Sequence, residues 1–275
     1  LQSLAVLACY FGKLPWYFNY FIHSCKYNPT IDFFIVTDDV SYTRHLPSNV
    51  KIIHSTLSEI SLLATLKLNL SVDIKTGYKL CDFKPAYGMI FSQVLSSYDY
   101  WAYSDIDVIY GNIREFVSED LLGIYDLINI RPDWIHGCFA VFKNSDKMNK
   151  LFEQSKDYVK VLTSEEHYCF DETNFAHVDF SNGVYFKEIK TQIESMTHVI
   201  KRMEERGEIR VFYELYMVEG IIGKLKWERG RLIYFNKYEI ILYHLVHFKK
   251  NYKPENSYLK IPDRFTISPS RIYHR

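Results

Sequence analysis

The sequence lacks an excess of either charge: 33 Lys and Arg balance 33 Asp and Glu. That argues against a nucleic-acid binder, which carries a basic surplus to meet phosphate. It lacks any Cys-x-x-Cys spacing, and its five cysteines (Cys9, Cys25, Cys81, Cys138 and Cys169) are odd in number. A disulfide framework or a cysteine-rich zinc module is therefore not expected, and a reducing, cytoplasmic compartment fits. Several of these cysteines lie in apolar runs, where the thiol acts as a small core side chain. No apolar run reaches membrane-spanning length. Gly12, Lys13 and Pro15 interrupt the apolar start of the chain too early for a signal peptide. Repeats, low-complexity tracts and linkers are missing too, so one domain over residues 1–275 is expected.

What the sequence has in plenty is aromatic side chains: 23 Tyr and 19 Phe. An A/T-rich coding bias and the stacking of pyranose rings both lead to that composition. Short continuous apolar runs at Leu4–Cys9, Asp32–Thr37, Val50–His54 and Tyr100–Ser104 read as buried strands. Leu127–Ile130, Cys138–Phe142, Arg231–Phe235 and Ile240–Leu245 read as further strands. Helices are expected over Trp16–Cys25, Ser55–Leu70, Pro85–Ser97 and Lys147–Val161. Glu188–Glu205 is either a helix or an inserted excursion. The alternation predicts an α/β, Rossmann-like fold with a single mixed central sheet flanked by helices. Ligands of such sheets sit beyond the carboxyl ends of the strands, where Gly12, Asp38 and Asp39 fall.

Asp105-Ile106-Asp107 places two carboxylates one residue apart, just past the strand Tyr100–Ser104, with Gly111-Asn112 allowing a bend behind them. Oxygen ligands in such a turn suit Mg²⁺ or Mn²⁺, which stabilises a diphosphate leaving group. A solvated turn would carry the same residues. After the strand ending at Tyr243, His244 and His247 each offer an imidazole, His244 being preferred, and Lys249 and Lys250 offer charge to a diphosphate. In the run Tyr78–Gly88, Lys79 and Lys84 bracket Asp82 among apolar residues. Such charges are either paired with each other or serve an anionic ligand. Asp171-Glu172 is the best remaining acid pair. It reads as a general base for an acceptor hydroxyl, as a group binding the donor sugar, or as a helix-start acid pair. His136-Gly137 reads as sugar-pocket lining or as ordinary loop. The tail, with Lys253, Lys260, Arg264, Arg271 and Arg275 among Tyr252, Tyr258, Phe265 and Tyr273, is basic and aromatic. It reads as a solvated surface or as a contact with anionic lipid at the inner membrane.

Together these segments resemble bacterial GT-A glycosyltransferases of surface-polysaccharide gene clusters. The matching words are Tyr10-Phe11-Gly12-Lys13-Leu14-Pro15, Asn28-Pro29, Thr37-Asp38-Asp39, Asn49–Ile53, Tyr78–Gly88, Ser104–Asn112 and Phe142-Lys143-Asn144. They cover most of residues 4–145. The segment His244-x-x-His247-x-x-Lys250 is similar to the H-x-x-G-x-x-K ending of glycogenin-like retaining transferases, with His247 at the glycine. The resemblance implies a GT-A fold, a nucleotide-sugar donor (a UDP-sugar) and a glycan or lipid-linked acceptor. It implies that Tyr10, Phe11 and Gly12 line the base and ribose pocket and that Asp38 or Asp39 reaches the base. Asp105, Asp107 and His244 would hold the ion, and Lys79, Asp82 and Lys84 would border the phosphates or ribose. Residues 1–145 would form the donor half and 146–275 the acceptor half. The alternatives from other classes are a non-catalytic carbohydrate-binding domain of the same fold and a sugar nucleotidyltransferase.

Overall fold

The computed structural model describes residues 1–221, 223–254 and 260–274. Tyr258 and Arg275 of the basic–aromatic tail lie outside the described residues.

The apolar runs form the expected strands: β1 (Leu4–Cys9), β2 (Ile31–Thr37), β3 (Val50–His54) and β4 (Tyr100–Ser104). These four are mutually parallel across the pairs β3–β2, β2–β1 and β1–β4. The unbroken hydrophobicity of β1 and β4 reflects burial on both faces, whereas β3, at the sheet edge, keeps Lys51 and His54 exposed. Along β1, Leu4, Val6 and Ala8 enter one core while Ala5 and Leu7 enter the other. The same two-residue alternation splits Tyr100 and Ala102 from Trp101 and Tyr103 on β4. Helix α1 (Phe18–Lys26) packs Phe18, Phe21 and Cys25 into the first core. Helix α2 (Leu57–Leu68) packs Ile60 and Ala64 into the second. It starts two residues later than expected because Thr56 and Glu59 form a reciprocal capping box, and it stops at Asn69, whose φ is +53°.

Further along the chain come β5 (Val108–Tyr110), β6 (Leu127–Asn129), β7 (Phe139–Lys143), β8 (Val211–Tyr213) and β9 (Met217–Glu219). They are followed by β10 (Leu225–Glu228), β11 (Arg231–Tyr234), β12 (Tyr238–Glu239) and β13 (Leu242–His244). The last two are β14 (Arg264–Ile267) and β15 (Ile272–His274). The fold is α/β with mixed pairing, but the single sheet expected from the sequence is corrected to three among the described residues. A seven-stranded sheet has the order β3-β2-β1-β4-β7-β6-β8, a five-stranded one β12-β11-β10-β14-β15, and a three-stranded one β5-β13-β9. The strands missed in the sequence are two to four residues long, too short to show a period. β8 joins the large sheet and β13 pairs with β5, so strands from residues 146–275 complete sheets begun by residues 1–145.

Two expected helices are also corrected. Pro85–Ser97 is instead a 3₁₀ segment, Gly77–Ala86, followed by two single turns, Tyr87–Ile90 and Ser92–Leu95. Lys147–Val161 breaks into Asp146–Asn149, Leu151–Gln154 and Tyr158–Thr163. The break falls at Ser155, which is buried and whose hydroxyl donates to Glu194 O at 2.6 Å. Of Glu188–Glu205, only Met196–Glu205 is helical. No helix among the described residues is long and apolar enough to cross a membrane.

Among the described residues of the tail, Arg264–Ile267 and Ile272–His274 belong to the five-stranded sheet. Phe265 stacks on Trp227 at 5.0 Å, Arg264 pairs with Glu228 at 2.7 Å, and Tyr252 packs edge-on against Trp16 at 5.2 Å. Trp227 fastens this sheet to the first core. Its indole N–H donates to Tyr110 O at 2.8 Å, and Tyr27 meets its ring edge-on at 4.9 Å. Replacing Trp227 with Ala is expected to cost about 3–5 kcal/mol, through a large cavity and an orphaned carbonyl. Urea unfolding measures it; a loss below about 1 kcal/mol would show that the sheet is only loosely docked.

Candidate active site

The strand order turns at β1, with β2 on one side and β4 on the other, and ligands of open α/β sheets sit at such a point. Beyond the carboxyl ends of β1 and β4 lies a cleft of about 460 Å³. Asp105 and Asp107 follow β4 and enter it. Register explains how residues from the far end of the chain reach them. Pairing of β5 with β13 sets His244 opposite Val108, and pairing of β13 with β9 sets Glu219 beside His244. The N–H of Leu245 donates to Asp107 O at 2.8 Å and locks the junction.

Donor atoms of Asp105, Asp107 and His244 all lie within 4.8 Å of one another. His244 turns Nε2 toward Asp107 Oδ2 at 3.5 Å and Nδ1 toward Glu219 Oε2 at 3.2 Å. Lys249 Nζ donates to Asp107 Oδ2 at 2.7 Å. Lys84 Nζ donates to Asp105 Oδ1 at 2.6 Å and Gly137 O at 2.8 Å, and stands 3.6 Å from Asp171 Oδ2. Burial opposes charge on Asp107, but His244 and Lys249 hold its carboxyl well below the usual range. Burial likewise opposes charge on His244, yet Asp107 and Glu219 lift it to about 10. Two carboxylates and an imidazole match the oxygen-rich donor preference of Mn²⁺ or Mg²⁺. Glu219, on the ring nitrogen away from Asp107, is placed as the outer partner that orients a metal-binding histidine. Were Mn²⁺ held by this cluster, Glu219→Ala would weaken its binding by about 10–100-fold with the fold intact. Calorimetry reads this, and unchanged affinity would mean that the imidazole is oriented by other contacts.

On the opposite wall, Gly137 N–H donates to Glu172 Oε1 at 2.7 Å, and His177 Nε2 meets Glu172 Oε2 at 2.8 Å. Burial opposes ionisation of Glu172, but His177, His136 and the Gly137 N–H bring its carboxyl down to about 2. Burial pushes Asp171 well above the usual range; Lys84 counteracts this and the Glu172 charge adds to it. The surroundings thus push these adjacent acids in opposite directions, the pattern that separates acid from base roles. A Cβ at Gly137 would stand 2.6 Å from Asp171 Oδ2, so only glycine lets this wall approach.

Not every residue singled out in the sequence reaches the cleft. Lys79 and Asp82 are corrected: they form a buried pair at 2.9 Å. Lys79 also donates to Val161 O and Glu166 O, and Asp82 accepts the N–H groups of Tyr168 and Phe170. His247 is exposed at the start of the helical turn Phe248–Asn251, and Lys250 is exposed on it; neither lines the cleft, whereas His244, Val246 and Lys249 do. His136 is buried behind the wall, stacked on Trp134 at 4.8 Å. Tyr10 and Phe11 line the cleft, but Gly12 does not; its N–H is held by Asp38 at 2.7 Å. Asp39 accepts from Leu14 N at 2.7 Å and borders a separate hollow of about 290 Å³ with Arg44. The two strand-end aspartates therefore shape the loop after β1. Sequence reading missed Glu219, on a three-residue strand, and, beside the Glu172 it singled out, Cys169 and His177. The spacing Cys-x-x-Glu-x₄-His was the available signal for the latter.

Fold and site together define an α/β protein with a carboxylate–imidazole cluster at the carboxyl ends of its parallel strands. The chain belongs to DUF6625, a family of unknown function, whose profile matches residues 6–275. No curated protein matches it.

Proposed function

We propose that this chain is a metal-dependent glycosyltransferase of GT-A type that moves a sugar from a nucleotide diphosphate donor, a UDP-sugar, to a glycan or lipid-linked acceptor. The observation that carries the reading is the convergence of Asp105, Asp107 and His244 in the cleft at the turn of the strand order. When bound there, Mn²⁺ or Mg²⁺ supplies charge neutralisation for the departing diphosphate. The chain's own residues do the rest. Lys84 and Lys249, already on the two aspartates, are in reach of the phosphates and hold negative charge as it develops. Tyr10 and Phe11 offer rings to the base and ribose. Asp171 and Glu172, pushed in opposite directions by their surroundings, orient sugar hydroxyls and handle the proton at the acceptor oxygen.

The test is incubation of the chain with Mn²⁺ and a panel of nucleotide diphosphate sugars, with products weighed by mass spectrometry. Release of nucleoside diphosphate, dependent on metal, supports the reading. Release of pyrophosphate would make the chain a nucleotidyltransferase. Glycan binding with no nucleotide requirement would leave it a carbohydrate-binding domain.

A further inference from the structure

The group on the cleft wall has a geometry of its own. Cys169 Sγ lies 3.5 Å from Glu172 Oε2 and 3.8 Å from His177 Nε2, and the latter two atoms are 2.8 Å apart. A nucleophilic relay would need the acid and the thiol on opposite nitrogens of the ring. Here both face the same nitrogen, so the triangle is not a Cys–His–acid triad. A point about 2.0 Å from all three atoms exists within that triangle. An ion slightly off its plane meets the usual distances of roughly 2.3 Å to thiolate sulfur and 2.0–2.2 Å to imidazole nitrogen and carboxylate oxygen.

The chain holds these atoms in place at a cost. Cys169, Asn174 and Phe175, none of them glycine, have φ of +51°, +53° and +66° within this one loop. Each left-handed residue costs roughly 1–2 kcal/mol. Asn174 braces the loop: its amide donates to Tyr168 O at 2.7 Å, and its carbonyl accepts from Gln192 N at 2.7 Å. Glu172 Oε1 is fixed by Gly137 N–H, which leaves Oε2 to the thiol and the ring. Trp134 meets the His177 ring edge-on at 4.7 Å. Cys169 and Glu172 both line the cleft.

We propose that Cys169, Glu172 and His177 form a second cation site, selective for Zn²⁺ over Mn²⁺ and Mg²⁺, with the fourth coordination place open to the cleft. Sulfur is the discriminating ligand: it favours the softer ion, while the all-oxygen-and-imidazole set at Asp105, Asp107 and His244 does not. Coordination releases the thiol proton to solvent. The site shares Glu172 with the glycosyltransferase reading, but its test reads thiolate coordination rather than turnover, so failure of one is distinguishable from failure of the other.

The test uses the full chain, freed of metal by a chelator and titrated with Co²⁺, whose bond to thiolate gives a charge-transfer absorption. One equivalent of Co²⁺ is expected to develop the band, and Zn²⁺ to displace it while Mn²⁺ does not. Cys169→Ser and His177→Ala are each expected to lose the band and about 100-fold or more in Zn²⁺ affinity, whereas Asp105→Asn keeps both. His177 is half-exposed, so its variant reports on binding without a buried change. No band in the wild-type chain would overturn the proposal. So would a band that persists in Cys169→Ser, which would point to the buried group His136, Cys138 and His244 instead.

Discussion

Asp107→Asn is expected to lower metal-dependent donor turnover by at least about 100-fold, more than loss of the outer residue Glu219. The carboxylate sits between His244 Nε2 and Lys249 Nζ and is only 6% exposed. An amide of the same shape keeps the packing but removes the negative charge that a divalent ion requires. Stability is expected to change less than activity. Lys249 is partly exposed and can turn to water, so the lost pair is cheaper than one fully buried. Asp105→Asn is expected to behave in the same way, with Lys84 left facing Gly137 O and Asp171. Thermal melts beside turnover assays separate the two effects. Turnover within about threefold of wild type would remove the ion from this site. A collapse of folding would make the cluster structural.

Lys79→Met is expected to destabilise the fold by about 3–5 kcal/mol, against a typical total of 5–15 kcal/mol. Lys79 is 1% exposed and Asp82 fully buried. Removal of the ammonium leaves a carboxylate without its cation and strips Val161 O and Glu166 O of their donor. Burial would raise the Asp82 carboxyl, but His167, Lys79 and the Phe170 N–H hold it below the usual range; the variant removes one of these supports and leaves burial to oppose the charge. Asp82→Asn is expected to cost a similar amount, and the double variant less than the sum of the two. The surviving folded protein is expected to bind Mn²⁺ and UDP as wild type does. Lost UDP affinity with unfolding free energy unchanged within about 1 kcal/mol would instead return Lys79 to the donor site.

These two predictions mark the boundary of what could be read from the chain. Strands β1 and β4 were legible with their ends, because a strand buried on both faces is an unbroken apolar run; β3 was legible too, although it lies at the sheet edge with Lys51 and His54 exposed. The Asp105–Asp107 turn followed from β4. His244, the preferred of the two histidines, lines the cleft, although the partner strands β5 and β9 that position it were invisible. Those strands are three residues long and are stabilised by pairing with residues more than a hundred positions away or by parallel addition at an edge. Glu219 was missed for that reason. Lys79, Asp82 and Lys84 looked alike in sequence, as charges in one apolar run. Only tertiary structure sends Lys84 to the cleft and the other two beneath it, since the partners of Lys79 come from Val161 and Glu166. The acids at the end of β2 were placed correctly at a strand end, but two backbone N–H groups of the neighbouring loop claim them.

One titration tests the shared foundation most directly: UDP added to the full chain in a calorimeter, with Mn²⁺ and then with excess chelator, for wild type and Asp107→Asn. The account predicts saturable one-to-one binding for wild type with Mn²⁺ alone, and heat indistinguishable from dilution in the other three cells. Equal affinity with and without metal, or an Asp107→Asn curve that overlays wild type, would contradict it.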